Sequence, residues 1–219
     1  MTPSWSWLAL MGLGAFHGLN PEMGWLFAVA LGLQRRALSA VWWSLIPIAI
    51  GHAIAVGLVV ILIDLLRLFV AIRPMQIAAA VVLIAFGVYR LLARHRARVG
   101  MQVSACDLAL WSLLMATAHG AGLMLLPVLL QMPLGTEAHH HAHMAAITGI
   151  GSSLLVGSLA VTVHTIAMLL TAGIIAVVVY EWVGLAFLRK GWINLDLLWV
   201  VALIGAGIAL LVMALLTRP

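Results

Sequence analysis

The chain is short of charge and of cysteine. Only 8% of its 219 residues are Asp, Glu, Lys or Arg, six acids against eleven bases, and Cys106 is the single cysteine. A water-soluble domain of this length would not show so few charges, and 65% hydrophobic residues with a mean hydropathy of +1.21 place the chain in a bilayer. One thiol forms neither an internal disulfide nor a dithiol relay, which excludes membrane carriers that pass electrons through thiol pairs. No nucleotide-binding motif occurs, so no nucleotide is expected as a driving force. Short segments of alternating polarity are also missing, which excludes a transmembrane β-barrel. The first apolar run has no basic stretch before it and no evident small-residue cleavage site, and is expected to be retained.

What remains is long apolar runs. A helix crosses hydrocarbon in about 20 residues, and the runs divide into six spans: Trp5–Leu33, Ser39–Leu66, Met75–Leu92, Cys106–Met132, Gly151–Val179 and Leu195–Leu216. The expected fold is an all-α membrane protein of six transmembrane helices. Three spans exceed one crossing, so tilts or breaks are expected. Arg35, Arg36, Arg90, Arg94, Arg96, Arg98, Arg189 and Lys190 fall on one side, against Arg67, Arg73 and Arg218 on the other. That bias puts the first set in the cytoplasm and both termini outside it, in a multi-pass protein of the cell inner membrane. The net charge of +5 follows from these loops and calls for no nucleic-acid partner. Trp5, Trp7, Trp42, Trp43, Trp182, Trp192 and Trp199 stand near span ends and read as interface anchors.

The spans repeat. Ala15-Phe16-His17-Gly18 returns as Thr117-Ala118-His119-Gly120, His52-Ala53-Ile54-Ala55 as His164-Thr165-Ile166-Ala167, and Leu83-Ile84-Ala85-Phe86-Gly87 as Leu203-Ile204-Gly205-Ala206-Gly207. Two units follow, residues 1–99 and 100–219, meeting in the basic stretch 94–100. Three spans is an odd number, so the second unit must enter the membrane the opposite way up. Inverted halves around a polar site at the midplane are the plan of many secondary transporters.

The candidate site residues are the costly ones. An ionisable group in hydrocarbon is a functional hypothesis by default, which singles out His17, His52, His119 and His164. Pro21 disfavours helix at Asn20, so the first span is expected to break near Pro21 and restart near Glu22. Broken backbone at that depth is tolerated where it lines a cavity. The freed carbonyls, His17, Glu22 and the Met23 thioether then offer ligands to a cation, while Gly14, Gly18, Gly120 and Gly122 serve equally well as close helix contacts. Pro127, eight residues after His119, is expected to bend span four lower down. His17, Glu22, His52, His119 and His164 are expected to meet near the membrane middle as the metal site, His17 and Glu22 being primary. His139, His140, His141 and His143, in an external loop at 134–147, form an accessory tract that gathers metal.

Imidazole nitrogen with some oxygen suits divalent transition metals better than Mg²⁺ or Ca²⁺. Protonation and metal ligation exclude each other at one nitrogen, which suits a proton-driven exchange. The expected function is secondary transport of such a cation, with the bilayer and the metal as partners, no catalytic residue, and homo-oligomerisation left open. The same residues also allow a membrane metalloenzyme or haem-binding electron-transfer subunit with axial histidines, or a transporter-like protein for a small organic solute or scaffold of a membrane complex.

The stretch Gly14-Ala15-Phe16-His17-Gly18-Leu19-Asn20-Pro21, followed by Gly51-His52-Ala53-Ile54-Ala55-Val56, resembles the nickel/cobalt exporter group of the LysE transporter superfamily. The likeness covers spans one and two well and the rest in outline. It implies two inverted halves, a first-span His-Gly-Leu-x-Pro motif at the metal path, a second-span histidine and a His-rich hydrophilic loop, with nickel or cobalt as cargo. Where that group carries Gly-His after the proline, this chain carries Glu22-Met23.

Overall fold

The computed structural model describes residues 4–92, 104–132, 144–183 and 195–216. Among them every regular element is a helix. The first apolar run is α1 (Ser4–Leu19), a 3₁₀ turn at Pro21–Met23 and α2 (Trp25–Arg35). Asn20 takes the extended conformation that a following proline demands, and its side-chain oxygen accepts from the Glu22 amide at 3.0 Å. Gly24, at φ +120°, makes the sharp re-entry into α2 where a side chain would be strained. The expected break is therefore present, one turn after His17.

Uninterrupted helices follow: α3 (Leu38–Arg67) and α4 (Ile72–Leu92). The fourth run is fragmented into α5 (Ala105–Ala118), α6 (Ala121–Met124) and α7 (Leu126–Leu129). Its first break is at Gly120, left-handed at φ +68°, and a second falls at Leu125, just before Pro127, where the bend was expected. Both His-Gly pairs thus sit at a helix break. The last elements are α8 (Met144–Val178), continued by a π-helical turn at Val179–Val183, and α9 (Leu195–Leu216).

Among the described residues four helices are long and apolar enough to cross a membrane: α3, α4, and α8 and α9 over Leu154–Trp182 and Leu197–Leu216. Runs one and four, expected as spans, are the broken ones. The outer surface fits lipid rather than water: Trp43, Leu155, Leu170 and Val201 are all at least 60% exposed.

Residue pairings give the sense of each packing. Gly14 meets His164 and Ala167, and Gly18 meets Met168 and Thr171, so α1 and α8 run parallel. Ser112 donates to the Ile48 carbonyl at 2.8 Å, Gly122 meets Val59, and Arg67 donates to the Leu129 and Met132 carbonyls, so the α5–α7 run is parallel to α3. Gly87 packs on Ile204 while Gly207 packs on Ile84, which makes α4 and α9 antiparallel. Gly173 lies against Leu45 and Gly157 against Val60, so α3 and α8 are antiparallel too. Exchanging the first three runs for the last three turns α1–α8 packing into α5–α3 packing and returns α4–α9 and α3–α8 to themselves. The glycines at these contacts have no Cβ to hold the backbones apart, so close packing is what Gly14, Gly18 and Gly122 do.

The interior falls into two apolar clusters. One holds Leu10, Val56, Val60, Leu83 and Ala160; the other holds Trp25, Val29, Leu45, Ile48 and Met168. Along α3 the change of cluster falls between Ile48 and Ala55, and along α8 between Ala160 and Met168. His52 and His164 occupy those intervals. The junction at residues 99 and 100 lies outside the described residues, as do His139, His140, His141, His143 and Trp192.

Candidate imidazole site

His17, His52 and His164 form a layer between the two apolar clusters, each with 0% exposure. Their ring centroids make a triangle of 5.5 Å (His17–His52), 4.8 Å (His17–His164) and 5.4 Å (His52–His164). Three different helices supply them. The last pair, equivalent in the repeat, is stacked at 14° between planes.

Their hydrogen bonds fix which nitrogen is idle. His17 Nδ1 donates to the Leu13 carbonyl at 2.7 Å and His164 Nδ1 to the Leu10 carbonyl at 3.2 Å. A carbonyl only accepts, so Nδ1 carries the hydrogen, and Nε2 of a neutral ring is left as a lone pair. Nε2 of His17, Nε2 of His164 and both nitrogens of His52 are buried without a hydrogen-bond partner. Burial of unpaired polar atoms in an apolar core costs about 1–3 kcal/mol each. Three such rings in contact make a concentrated set of lone pairs. As the side chains stand, no group of three or more His, Cys, Asp or Glu among the described residues is arranged to hold a metal ion.

Glu22 and His119 lie against each other, and Trp199 contacts both His119 and His17. His119 Nε2 lies 2.8 Å from Glu22 Oε2, and Arg90 Nη2 stands 3.1 Å from the same nitrogen. His119 Nδ1 donates to the Met115 carbonyl at 2.9 Å, the same bond four residues back that His17 makes. The two motif histidines share their local geometry but have different neighbours. The Glu22 side chain is 45% exposed, while the His119 ring is as fully buried as the other three.

Trp199 lies between the two groups. Its ring centroid is 4.3 Å from that of His17 and 5.9 Å from that of His119, it stacks on Phe16 at 5.0 Å, and its indole N–H donates to the His119 carbonyl. At 1% exposure it is core, not the interface anchor its position near a span end suggests. The signal that finds it is helical spacing: Trp199, Leu203, Leu210 and Ala214 make the buried stripe of α9. Trp5, Trp42, Trp43 and Trp182 are exposed, as anchors are.

The freed carbonyls of the break, expected as cation ligands, are occupied. The Trp25 indole donates to Leu19 O and the Trp111 indole to Glu22 O, both at 3.2 Å, while the Asn20 and Pro21 carbonyls accept from Met23 and Gly24. Each of these four oxygens already accepts one hydrogen bond. Comparison with protein-family models, curated proteins and solved structures gave no match.

Proposed function

We propose that the protein is a secondary transporter of a divalent transition-metal cation, nickel, cobalt or similar, driven by proton exchange, with His17, His52 and His164 as the cargo site. The observation that carries this reading is the buried triangle of imidazoles with idle Nε2 atoms. Three imidazoles on one ion at roughly 2.1 Å, with near-tetrahedral angles, set their ring centroids about 5 Å apart. The triangle already has that size, which supports this reading. Either a metal or protons can occupy the lone pairs, which couples release of one to uptake of the other.

The packing supports six crossings in two inverted halves. Neighbouring runs alternate in sense, three runs make a half, and the contacts survive exchange of the halves. His52 and His164 then face each other at the pseudo-symmetry axis, where alternating access places a cargo. The basic-residue bias puts the termini outside the cytoplasm of an inner-membrane protein. The His-Gly-Leu-x-Pro likeness to the nickel/cobalt exporter group agrees with this function. Ring-against-ring contact favours a small ion over haem, whose macrocycle has to lie between its axial imidazoles.

The test is transport by the purified chain in proteoliposomes under a pH gradient. His17→Ala, His52→Ala and His164→Ala each abolish uptake of nickel and cobalt while the protein still purifies folded. Uptake at the wild-type rate by all three variants overturns the reading.

A further inference from the structure

His17 and His119 hold equivalent places in the sequence repeat, and each Nδ1 donates to the carbonyl four residues back. Their Nε2 atoms differ. That of His17 is buried without a partner and belongs to the triangle. That of His119 meets two charged side chains of the first repeat unit, Glu22 Oε2 at 2.8 Å and Arg90 Nη2 at 3.1 Å. On the repeat spacing of His17 and His119, the counterpart of Glu22 is Met124; on that of Leu83 and Leu203, the counterpart of Arg90 is Leu210. Both counterparts are buried and apolar, so the carboxylate and the guanidinium are additions that the fold itself does not call for.

His119 Nδ1 carries a hydrogen, because the Met115 carbonyl that it faces only accepts. A neutral ring then presents a lone pair at Nε2, as an ionised carboxylate does at Oε2. Two acceptors repel at 2.8 Å unless a hydrogen lies between them, and that distance is the ordinary length of a charge-assisted bond. The Glu22–His119 contact is therefore the proton-loaded state. Once the hydrogen leaves, the Nε2 lone pair accepts from the Arg90 guanidinium, which already stands at hydrogen-bond distance. One nitrogen faces an acceptor and a donor, and a single hydrogen decides which of them it binds.

The pair has an accessible end and a buried end. The Glu22 side chain is 45% exposed and the His119 ring 0%. On the buried side, the Trp199 indole donates to the His119 carbonyl, and its ring stands edge-on to His17 at 4.3 Å. The titratable and charged groups around the His119 ring are Glu22 from the turn after α1, Arg90 from α4 and, across Trp199, His17 from α1, which feels the charge on His119.

We propose that Glu22 and His119 form a proton-binding site separate from the cargo triangle, in which Arg90 takes over the nitrogen when the proton leaves. Its role as the site of the driving ion rests on the transport reading. The repeat then divides the work between its two motif histidines: His17, with an idle Nε2, faces cargo, and His119, with a carboxylate and a guanidinium, holds the proton. Driving ion and cargo no longer compete for one nitrogen, and Trp199 touches both sites.

The test is ¹⁵N magnetic resonance of the full chain in lipid, labelled at histidine, with the His119 ring identified by its loss in His119→Gln. At low pH both ring nitrogens of His119 carry hydrogen, and Nε2 loses its own as pH rises. Glu22→Gln removes the acceptor's charge and lowers the affinity for that hydrogen at least about tenfold, whereas Arg90→Gln removes the opposing charge and raises it at least about tenfold. A merely structural cluster gives no such pair of opposite shifts. In proteoliposomes, Glu22→Gln cuts Co²⁺ uptake driven by a pH gradient at least about tenfold. Opposite shifts in protein whose wild type takes up no Co²⁺ keep the proton site and overturn the transport reading. An Nε2 that never changes state across the titration, or affinities that stay put or move in one direction in both variants, overturns the site whatever the transport assay shows.

Discussion

His52 stacks on His164 with ring centroids 5.4 Å apart, and the two residues hold the same place in the two halves of the sequence. Equivalent residues touch each other only at an axis of exchange. The reciprocal contacts Gly87–Ile204 and Gly207–Ile84 mark the same axis on α4 and α9. On the proposed transport function, a cargo held between His52 and His164 would be shared by both halves, and rocking one half against the other would expose it to one side at a time.

The proposed inverted halves predict a topology. Reporter fusions at Arg96 and at His141 fall on opposite sides of the membrane, Arg96 in the cytoplasm. Both reporters on one side contradict the six-crossing arrangement.

Packing of α1 on α8 depends on missing side chains. Gly14→Ala drives a methyl into the His164 carbonyl and the Ala167 side chain, and backbone does not yield as a flexible side chain does. The expected cost is about 1–3 kcal/mol. Gly12→Ala, two residues earlier with open space around it, is neutral or stabilising by up to about 1 kcal/mol. Thermal unfolding in detergent separates the two, and equal melting temperatures contradict the packing.

Trp199 is a structural partition between the sealed rings and the Glu22–His119 pair. Trp199→Ala leaves a cavity beside His17 and costs about 3–5 kcal/mol. Trp43→Ala removes a ring that is 71% exposed and stays within about 0.5 kcal/mol in the same melting assay. Comparable losses at both positions contradict a buried role peculiar to Trp199.

On the proposed function, the His-rich tract would act by concentration. Replacing His139, His140, His141 and His143 by Ala raises the metal concentration needed for half-maximal transport several-fold and leaves the saturated rate nearly unchanged, since a tethered cluster raises local concentration without forming the gated site. Loss of the saturated rate in protein that still inserts puts the tract in the path itself.

The break after His17 was legible because Pro21 leaves the chain little choice at Asn20, and the His52–His164 pairing because a costly residue occurs twice in one setting. The position of Trp199 against both His17 and His119 was not, because it depends on how far Trp199 reaches across from α9. Arg90 reads as a loop charge, yet it sits in the last turn of α4 and reaches back to His119. The indole caps on Leu19 and Glu22 depend on contacts that no local pattern encodes.

The central claim, that the three buried imidazoles take the cargo, is tested most directly by equilibrium binding of Co²⁺ to the purified protein, wild type against His52→Ala/His164→Ala. Loss of a single metal-ordering group costs on the order of 10–100-fold in affinity, and loss of two ligands should cost more. The account predicts a site in the wild type that weakens at least 100-fold in the double variant while its melting profile remains cooperative. Unchanged affinity in the double variant would contradict it.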